Sequence, residues 1–271
     1  MSASKFAPIV LLHPEDTHFP MHPREFISQS RFRHHITWGR DEGYNKNAKD
    51  WIKTNARTPR EHYYDIPVEF INSYGLQNGK NRRPRDKNNG DKWNVFLQPD
   101  GNPVGISEPN GEVPVFYCQK VQDDGKVFHQ YWFFFGYNPS LALRHQGDWE
   151  DFTAVTQDNR LVEAYFSAHG DRRIVTLQEL ELEGEQVKVY CAKGSHALYP
   201  RAGSFASNDI LRALGWETDK TATGGYKWNT SRNIELLSEQ PWKDYAGAWG
   251  EVGNINATTG PLGPWYKRWG T

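Results

Sequence analysis

Three residues whose side chains bind cations or move protons stand together in the short segment HQGDWE: His145, Asp148 and Glu150. Residues two apart on a β-strand face the same side, so Asp148 and Glu150 are expected to point together, with Trp149 on the opposite face. Two carboxylates that converge repel each other unless a cation lies between them or one of them carries a proton. The spacing therefore predicts either a metal site or a pair of acid–base groups.

A divalent metal ion is the first interpretation. Carboxylate oxygens favour Ca²⁺ or Mg²⁺, and an imidazole ligand also admits Mn²⁺ or Zn²⁺. His145, Asp148 and Glu150 are the predicted ligands, and the side-chain carbonyl of Asn138, shortly before them, is a fourth. Later candidates each follow a predicted strand: His169, His196 and Asp219. The alternative is a polar cluster that only holds the loops together.

Acid–base hydrolysis is the second interpretation. Two carboxyl groups of unequal pKa can activate water or protonate a leaving group, and the candidates for catalysis are Glu150, Asp148 and His169. Candidates for ligand contacts are Trp149, whose ring could stack on a sugar if exposed, and the polar residues Ser195, His196 and Asp219. Ser195 is not predicted to be a nucleophile, because no GxSxG elbow surrounds it.

Short β-strands must position these residues. The aromatic run 131–135, the turn at 136–139 and the apolar run after Glu150 predict two buried strands joined by a polar loop that carries the site. Further strand pairs are expected over 113–192, and 24 Gly with 16 Pro favour many turns. We therefore predict an all-β protein, an antiparallel β-sandwich with long loops and one or two short helices.

One helix is predicted to begin at Pro23 and another near Ser207. The loop before the first helix is rich in ionisable residues, which we interpret as its caps: His13, Glu15, Asp16, His18 and His22.

The chain is expected to form a single domain over 1–271. Within it, 39–103 is predicted to be a loop-rich excursion, because Asn, Lys, Arg, Asp and Gly dominate there. The part 203–271 is predicted to be an irregular wrap fixed by tryptophans: Trp216, Trp228, Trp242, Trp249 and Trp265. Cys118 and Cys191 lie in strand-like runs, which favours buried thiols, with a disulfide between neighbouring strands as the alternative.

Composition limits the partners. The 32 basic and 33 acidic residues nearly cancel, so no general attraction to nucleic acid is expected. The apolar run 7–12 is too short for a signal peptide or a membrane span, which predicts no transmembrane segment and a cytoplasmic location by default. Export by a dedicated secretion system would leave the same sequence signature.

A set of motifs resembles the vacuolar-protein-sorting-sixty-two-like family: APIVLLHPED, YWFFFGYN, HQGDWEDFTAV, SAHG, AKGSHALYP, DKTATGGYKW and WGE…GPLGPW. The resemblance extends over most of the chain and is poorest over 39–103. The family name refers to a sorting phenotype, so the resemblance implies an intracellular sorting or structural role without a defined biochemistry.

The segment HQGDWE also resembles, more distantly, the HRHDWE region of the necrosis- and ethylene-inducing-peptide-like cytolysins. That resemblance implies a β-sandwich with a divalent cation at His145, Asp148 and Glu150 and a membrane-damaging activity. Two positions depart from the pattern, since Gly147 stands where those proteins have a second histidine and Asn138 stands near their upstream aspartate.

The predicted function is therefore a metal-binding β-sandwich of toxin-like character that recognises a glycan or lipid headgroup. A metal- or carboxylate-dependent hydrolase of glycosides or phosphoesters is the first alternative, and a sorting or structural protein is the second.

Overall fold

The computed structural model describes residues 2–35, 58–60, 63–73, 95–140, 144–206, 218–245, 247–251 and 258–267. It confirms the prediction of an all-β protein, because strands dominate and the described helices are short. None of the described helices is long and apolar enough to cross a membrane.

The strands in chain order are β1 Ile9–Leu11, β2 Ser30–His35, β3 Thr58–Arg60, β4 Tyr63–Ile66, β5 Val95–Pro99, β6 Val115–Val121, β7 Val127–Asn138, β8 His145–Gln157, β9 Arg160–Ala168, β10 Asp171–Thr176, β11 Leu182–Glu183, β12 Gln186–Cys191, β13 Leu198–Tyr199, β14 Gly203–Ala206, β15 Thr218–Thr221, β16 Lys227–Asn229, β17 Ile234–Leu236 and β18 Ala248–Trp249. The α-helices are α1 Ser2–Lys5, α2 Pro23–Ser28 and α3 Pro264–Lys267. Short 3₁₀ turns cover Val68–Ser73, Leu177–Glu179, Thr230–Arg232 and Leu237–Glu239.

The central sheet has six strands in the order β10-β9-β8-β7-β6-β17. Its longest pairing joins β7 and β8, whose antiparallel ladder begins at Asn138 opposite His145. This confirms the predicted pair of buried strands, but it changes the place of the candidate residues. His145, Asp148 and Glu150 lie on β8 itself and not in the loop before it, because the ladder continues to the start of the HQGDWE segment.

A second sheet covers each face of the central sheet. On one face, β11-β12-β1-β16, with β13 beside β12, packs aliphatic and aromatic side chains against Phe133, Phe135 and Phe152. On the other face, β18-β5-β2-β4-β3 packs against Trp132, Phe134 and Trp149. The alternation of side chains along β7 and β8 sends neighbouring rings into opposite cores, which is the physical basis of this layered sandwich.

Three strand pairs depart from the predicted antiparallel arrangement. The pairs β1–β12, β6–β17 and β5–β18 are parallel. In each pair the partners are far apart in the chain, as a parallel pairing requires, because no short hairpin can join parallel strands.

The predicted helix at Pro23 is present as α2, with Pro23 in its first turn and His22 as the N-cap. The second predicted helix, near Ser207, lies outside the described residues, as does Trp216. Of the other C-terminal tryptophans, Trp228, Trp242 and Trp249 are buried and Trp265 is partly buried.

The part 39–103 contributes β3, β4 and β5 to one sheet, in which β4 and β5 flank β2 and β3 pairs with β4.

Cys118 lies on β6 and Cys191 on β12, in different sheets, and neither forms a disulfide.

Candidate functional site

The polar residues singled out in the sequence meet at one end of the central sheet. β7 ends at Asn138, β8 supplies Asp148 and Glu150, and the segment 192–197 between β12 and β13 supplies Ser195 and His196. The turn between β9 and β10 adds His169, and β15 adds Asp219, as shown by their hydrogen bonds. Five separate stretches of chain thus form one polar cluster, which we call the Glu150 site.

Asp148 and His196 form a buried hydrogen-bonded pair. His196 Nδ1 lies 2.9 Å from Asp148 Oδ2, and Asn138 Nδ2 donates to the same oxygen at 3.1 Å. Burial alone would raise the pKa of Asp148, but the hydrogen bond from His196 and the nearby histidine charges lower it overall. Burial alone would lower the pKa of His196, and its bond to Asp148 raises it overall. Each partner therefore stabilises the charged form of the other.

Asp219 is the acceptor of a second group. It accepts hydrogen bonds from the Ser195 hydroxyl at 2.8 Å and the Tyr199 hydroxyl at 2.6 Å, and His169 Nε2 lies 2.7 Å from its Oδ2. Burial raises the pKa of Asp219, but these donors, His169 foremost, lower it overall. Burial lowers the pKa of His169, but the bond to Asp219 and its charge raise it overall. The Ser195 hydroxyl thus donates to a carboxylate and not to a histidine.

Glu150 differs from both aspartates. Burial, followed by the negative charge of Asp148, raises its pKa well above the ordinary value. Lys267 of α3 opposes this shift from its position against the Trp149 carbonyl oxygen, 3.2 Å away. Glu150 is a partly exposed residue, and among the described residues none donates a hydrogen bond to its carboxyl group. The pKa values of Glu150 and Asp148 are therefore shifted in opposite directions, and Glu150 is the weaker acid of the two.

Residues 140–256 match the family model of vacuolar protein sorting-associated protein 62. The matched region confirms the resemblance inferred from the motifs. It covers less than half of the chain but contains β8, the segment 192–197 and Asp219. No curated protein matches the chain.

A solved structure described as "NLPPya in complex with mannosamine" aligns with a TM-score of 0.33 and 12% sequence identity, over 49% of this chain and 55% of that chain. The alignment thus spans about half the length of that structure. A likeness this weak supports no conclusion about the fold or the ligand of this protein.

Three of the four predicted metal ligands, Asn138, His145 and Asp148, are bonded to other protein groups. Asn138 turns its amide nitrogen toward Asp148, and its oxygen accepts from the backbone nitrogen of Ser140 at 3.1 Å. His145 Nδ1 donates to the Gly147 carbonyl oxygen at 2.8 Å. The described part of the chain contains no group of three His, Cys, Asp or Glu side chains arranged to hold a metal ion. These residues do not fit a metal site in this arrangement, and the divalent-ion hypothesis stays a prediction.

The interpretation of Trp149 as a ligand-stacking ring is wrong. Its side chain is 1% exposed, and its ring lies 4.7 Å from Phe134 and 5.2 Å from Trp242, between ring centroids. Trp132 is also fully buried. Both rings point into the core on the face opposite Glu150, because side chains alternate between the two faces along β7, which carries Trp132, and along β8, which carries Trp149.

Sequence reasoning missed the role of the N-terminal loop. Asp16 Oδ2 accepts from the Gly194 backbone nitrogen at 3.0 Å, and the His18 carbonyl oxygen lies 3.2 Å from His196 Nε2. The density of histidines and acids between residues 13 and 22 was the available signal. The capping interpretation applies to His22, whose Nδ1 accepts from Arg24 N at 3.0 Å, whereas Asp16 and His18 contact the segment that carries His196. Sequence reasoning also missed Tyr199, because its hydroxyl lies beside Asp219 only in the folded chain and no local pattern relates the two residues.

Proposed function

We propose that the protein binds a hydroxyl-rich ligand, a glycan or the sugar headgroup of a lipid, at the Glu150 site. One observation carries this proposal: Glu150 is partly exposed, and no described residue donates a hydrogen bond to its carboxyl group, whose pKa burial raises. A protonated carboxyl group both donates and accepts hydrogen bonds, as a sugar hydroxyl does. A partly buried polar group without hydrogen-bond partners gains most when a ligand supplies them.

The surrounding groups support a rigid site. The hydrogen bonds of Asp148 and Asp219 are already made within the protein, so these aspartates orient other side chains. Asp219 fixes His169 through Nε2, and the side chain of His169 remains 21% exposed. The ring nitrogen that does not face Asp219 can then meet a ligand hydroxyl. Side chains held in advance by such bonds lose little conformational entropy on binding.

The proposal is tested by calorimetry with soluble oligosaccharides and by co-sedimentation with vesicles containing glycolipids, which separates a free glycan from a lipid headgroup. Glu150→Ala should abolish binding, because it removes the donor and the acceptor. Glu150→Gln should retain binding, since the side-chain amide is uncharged and both donates and accepts hydrogen bonds. Glu112→Ala, at an exposed position, is the matched control. Binding that survives Glu150→Ala unchanged would exclude this site.

Hydrolysis of a glycoside or phosphoester is the second candidate function. The observation in its favour is that Glu150 and Asp148, two residues apart on one strand, have pKa values shifted in opposite directions. Such divergence is typical of acid–base pairs, and Glu150 would act as the general acid with His169 as its partner. Nitrophenyl glycosides and bis(nitrophenyl) phosphate are suitable probes. Glu150→Gln would then stop turnover while leaving binding intact, and a wild-type protein without turnover would remove this candidate.

The toxin-like character stays a proposal at the same site. Release of a fluorescent dye from glycolipid vesicles measures membrane damage, and intact vesicles at saturating protein would leave ligand recognition without lysis. A sorting or structural role would show as binding to vesicles or proteins that does not depend on Glu150.

A further inference from the structure

We propose that His196 is the resident cation of the Glu150 site, and that its ring fills the position beside Asp148 that a divalent ion would occupy. This inference deepens the proposed function, because it implies that ligand recognition at Glu150 does not depend on divalent metal. The pairing of Asp148 with this histidine lowers the repulsion between the two adjacent carboxyl groups without a metal ion.

Hydrogen bonding on both sides of the ring supports this assignment. Nδ1 lies 2.9 Å from Asp148 Oδ2, and Nε2 lies 3.2 Å from the carbonyl oxygen of His18. A carbonyl oxygen only accepts, so Nε2 carries a hydrogen, and a second hydrogen on Nδ1 serves the ionised Asp148. Asp16 Oδ2 adds a second carboxylate, 3.8 Å from Nε2. The ring thus lies between two acidic side chains.

The ring is also held so that an incoming ion cannot easily displace it. His196 is 0% exposed, and its ring stacks on Phe135 at 3.9 Å between centroids with an angle of 4°. Its backbone has φ +55° and its nitrogen donates to the Ala192 carbonyl oxygen at 3.0 Å, which closes a tight turn. Moving the ring away would require opening this turn.

The side chains around Asp148 cover the carboxylate oxygen that faces His196, Oδ2. Asn138 Nδ2 donates to Asp148 Oδ2 at 3.1 Å and lies 3.3 Å from the Ser195 carbonyl oxygen. A metal ion on this oxygen would have to displace two donors. Gly147 adds no ligand, and a Cβ placed there would lie 2.0 Å from the Trp249 carbonyl oxygen. No larger residue fits at position 147 without moving β18, so this position has no room for a side-chain ligand.

Metal dependence is the direct test, and it needs no glycan. Wild-type protein treated with EDTA should keep its Tm, and titration calorimetry with manganese chloride should show no saturable binding. His196→Ala should have a lower Tm and should recover part of it with manganese, because the exposed carboxylate then accepts an ion. Val189→Ala, a cavity-forming change at a buried position of β12, is the matched control; it should lower Tm without any response to manganese.

A fall in the wild-type Tm on adding EDTA, or one equivalent of tightly bound metal, would overturn the proposal. A folded His196→Ala protein that does not respond to manganese would overturn it as well. If His196→Ala does not fold, ¹⁵N NMR of the wild-type ring decides, since two protonated nitrogens support the proposal and one bare nitrogen contradicts it. These outcomes are separate from loss of glycan binding, which would refute the proposed function alone.

Discussion

Replacing Asp148 by asparagine tests whether the Glu150 site is held together by charge. Asparagine has almost the same shape, so the substitution removes the negative charge and creates little empty space. The His196 ring would remain buried against Phe135 with its Nδ1 facing an amide. Asn138, which donates to the same oxygen in the wild type, would compete with His196 for a single amide acceptor.

The expected cost follows from the burial of the pair. Asp148 is 5% exposed and His196 is 0% exposed, so solvent screens their interaction only weakly. Removing one partner of a buried ion pair costs about 3–5 kcal/mol, because the remaining charge is left uncompensated. In a domain of this size 1 kcal/mol shifts Tm by roughly 2–4 °C, so Asp148→Asn should lower Tm by about 10 °C.

Thermal unfolding followed by circular dichroism at neutral pH measures this shift. Glu15→Gln is the matched control, because it removes an exposed ion pair with Lys193, which lies on the same segment 192–197 as His196, and it should leave Tm nearly unchanged. The direction in which this stabilisation changes with pH also follows from the structure. The pKa of Asp148 is lowered from 3.8, so its stabilising contribution is present above that pH and is lost as the pH falls through the lower value of the folded state. An Asp148→Asn protein as stable as the wild type at neutral pH would show that the pair is not a buried ion pair.

Three further predictions concern single side chains. Glu150→Gln should raise Tm relative to the wild type as the pH rises above 4.5, because the raised pKa of Glu150 means that the folded state resists losing this proton; equal Tm values from pH 5 to 9 would contradict the shift. Gly147→Ala should destabilise the protein by several kcal/mol, since φ is +64° and the new Cβ would meet a backbone oxygen at 2.0 Å. Gly184→Ala, with φ +63° and open space around it, should cost only about 1–2 kcal/mol, and equal losses in urea unfolding would refute the steric argument. Tyr199→Phe should raise the pKa of Asp219 measured by ¹³C NMR, because it removes one of the three donors that stabilise the carboxylate; an unchanged value would show that the Tyr199 hydroxyl does not bond it.

Local pattern predicted the strands of the central sheet well. The aromatic run of β7 and the alternation of polar and apolar residues in β8 identified a pair of buried strands, and they placed Asp148 and Glu150 on the face opposite Trp149. These features depend on the two-residue period of a strand, which the sequence displays directly. The start of β8 was set wrongly, because the ladder with β7 extends over polar residues that locally resemble a loop.

The environment of each candidate residue depended on long-range pairing. Asp148 and His196 are 48 residues apart in the chain, and Asp219 is 50 residues from His169. No local period relates such residues, so the sequence identified each of them separately but not the pairs they form. The stacking prediction for Trp149 was wrong for a related reason. Because β8 is covered on both faces, its side chains are buried on either side of the strand. Only the tertiary structure shows that a third layer of sheet covers the face that carries Trp149.

The sequence by itself determined the all-β class, the hairpin that carries Asp148 and Glu150, and the need to relieve the repulsion between two adjacent carboxyl groups. These follow from side-chain period and from charge, which are local properties. Only the tertiary structure decided which groups surround those carboxyls, because the histidine beside Asp148 and the exposure of Glu150 depend on how the segment 192–197 and the N-terminal loop pack against β8. The energy of a buried charge depends on its neighbours in space, and their identity is set by the fold.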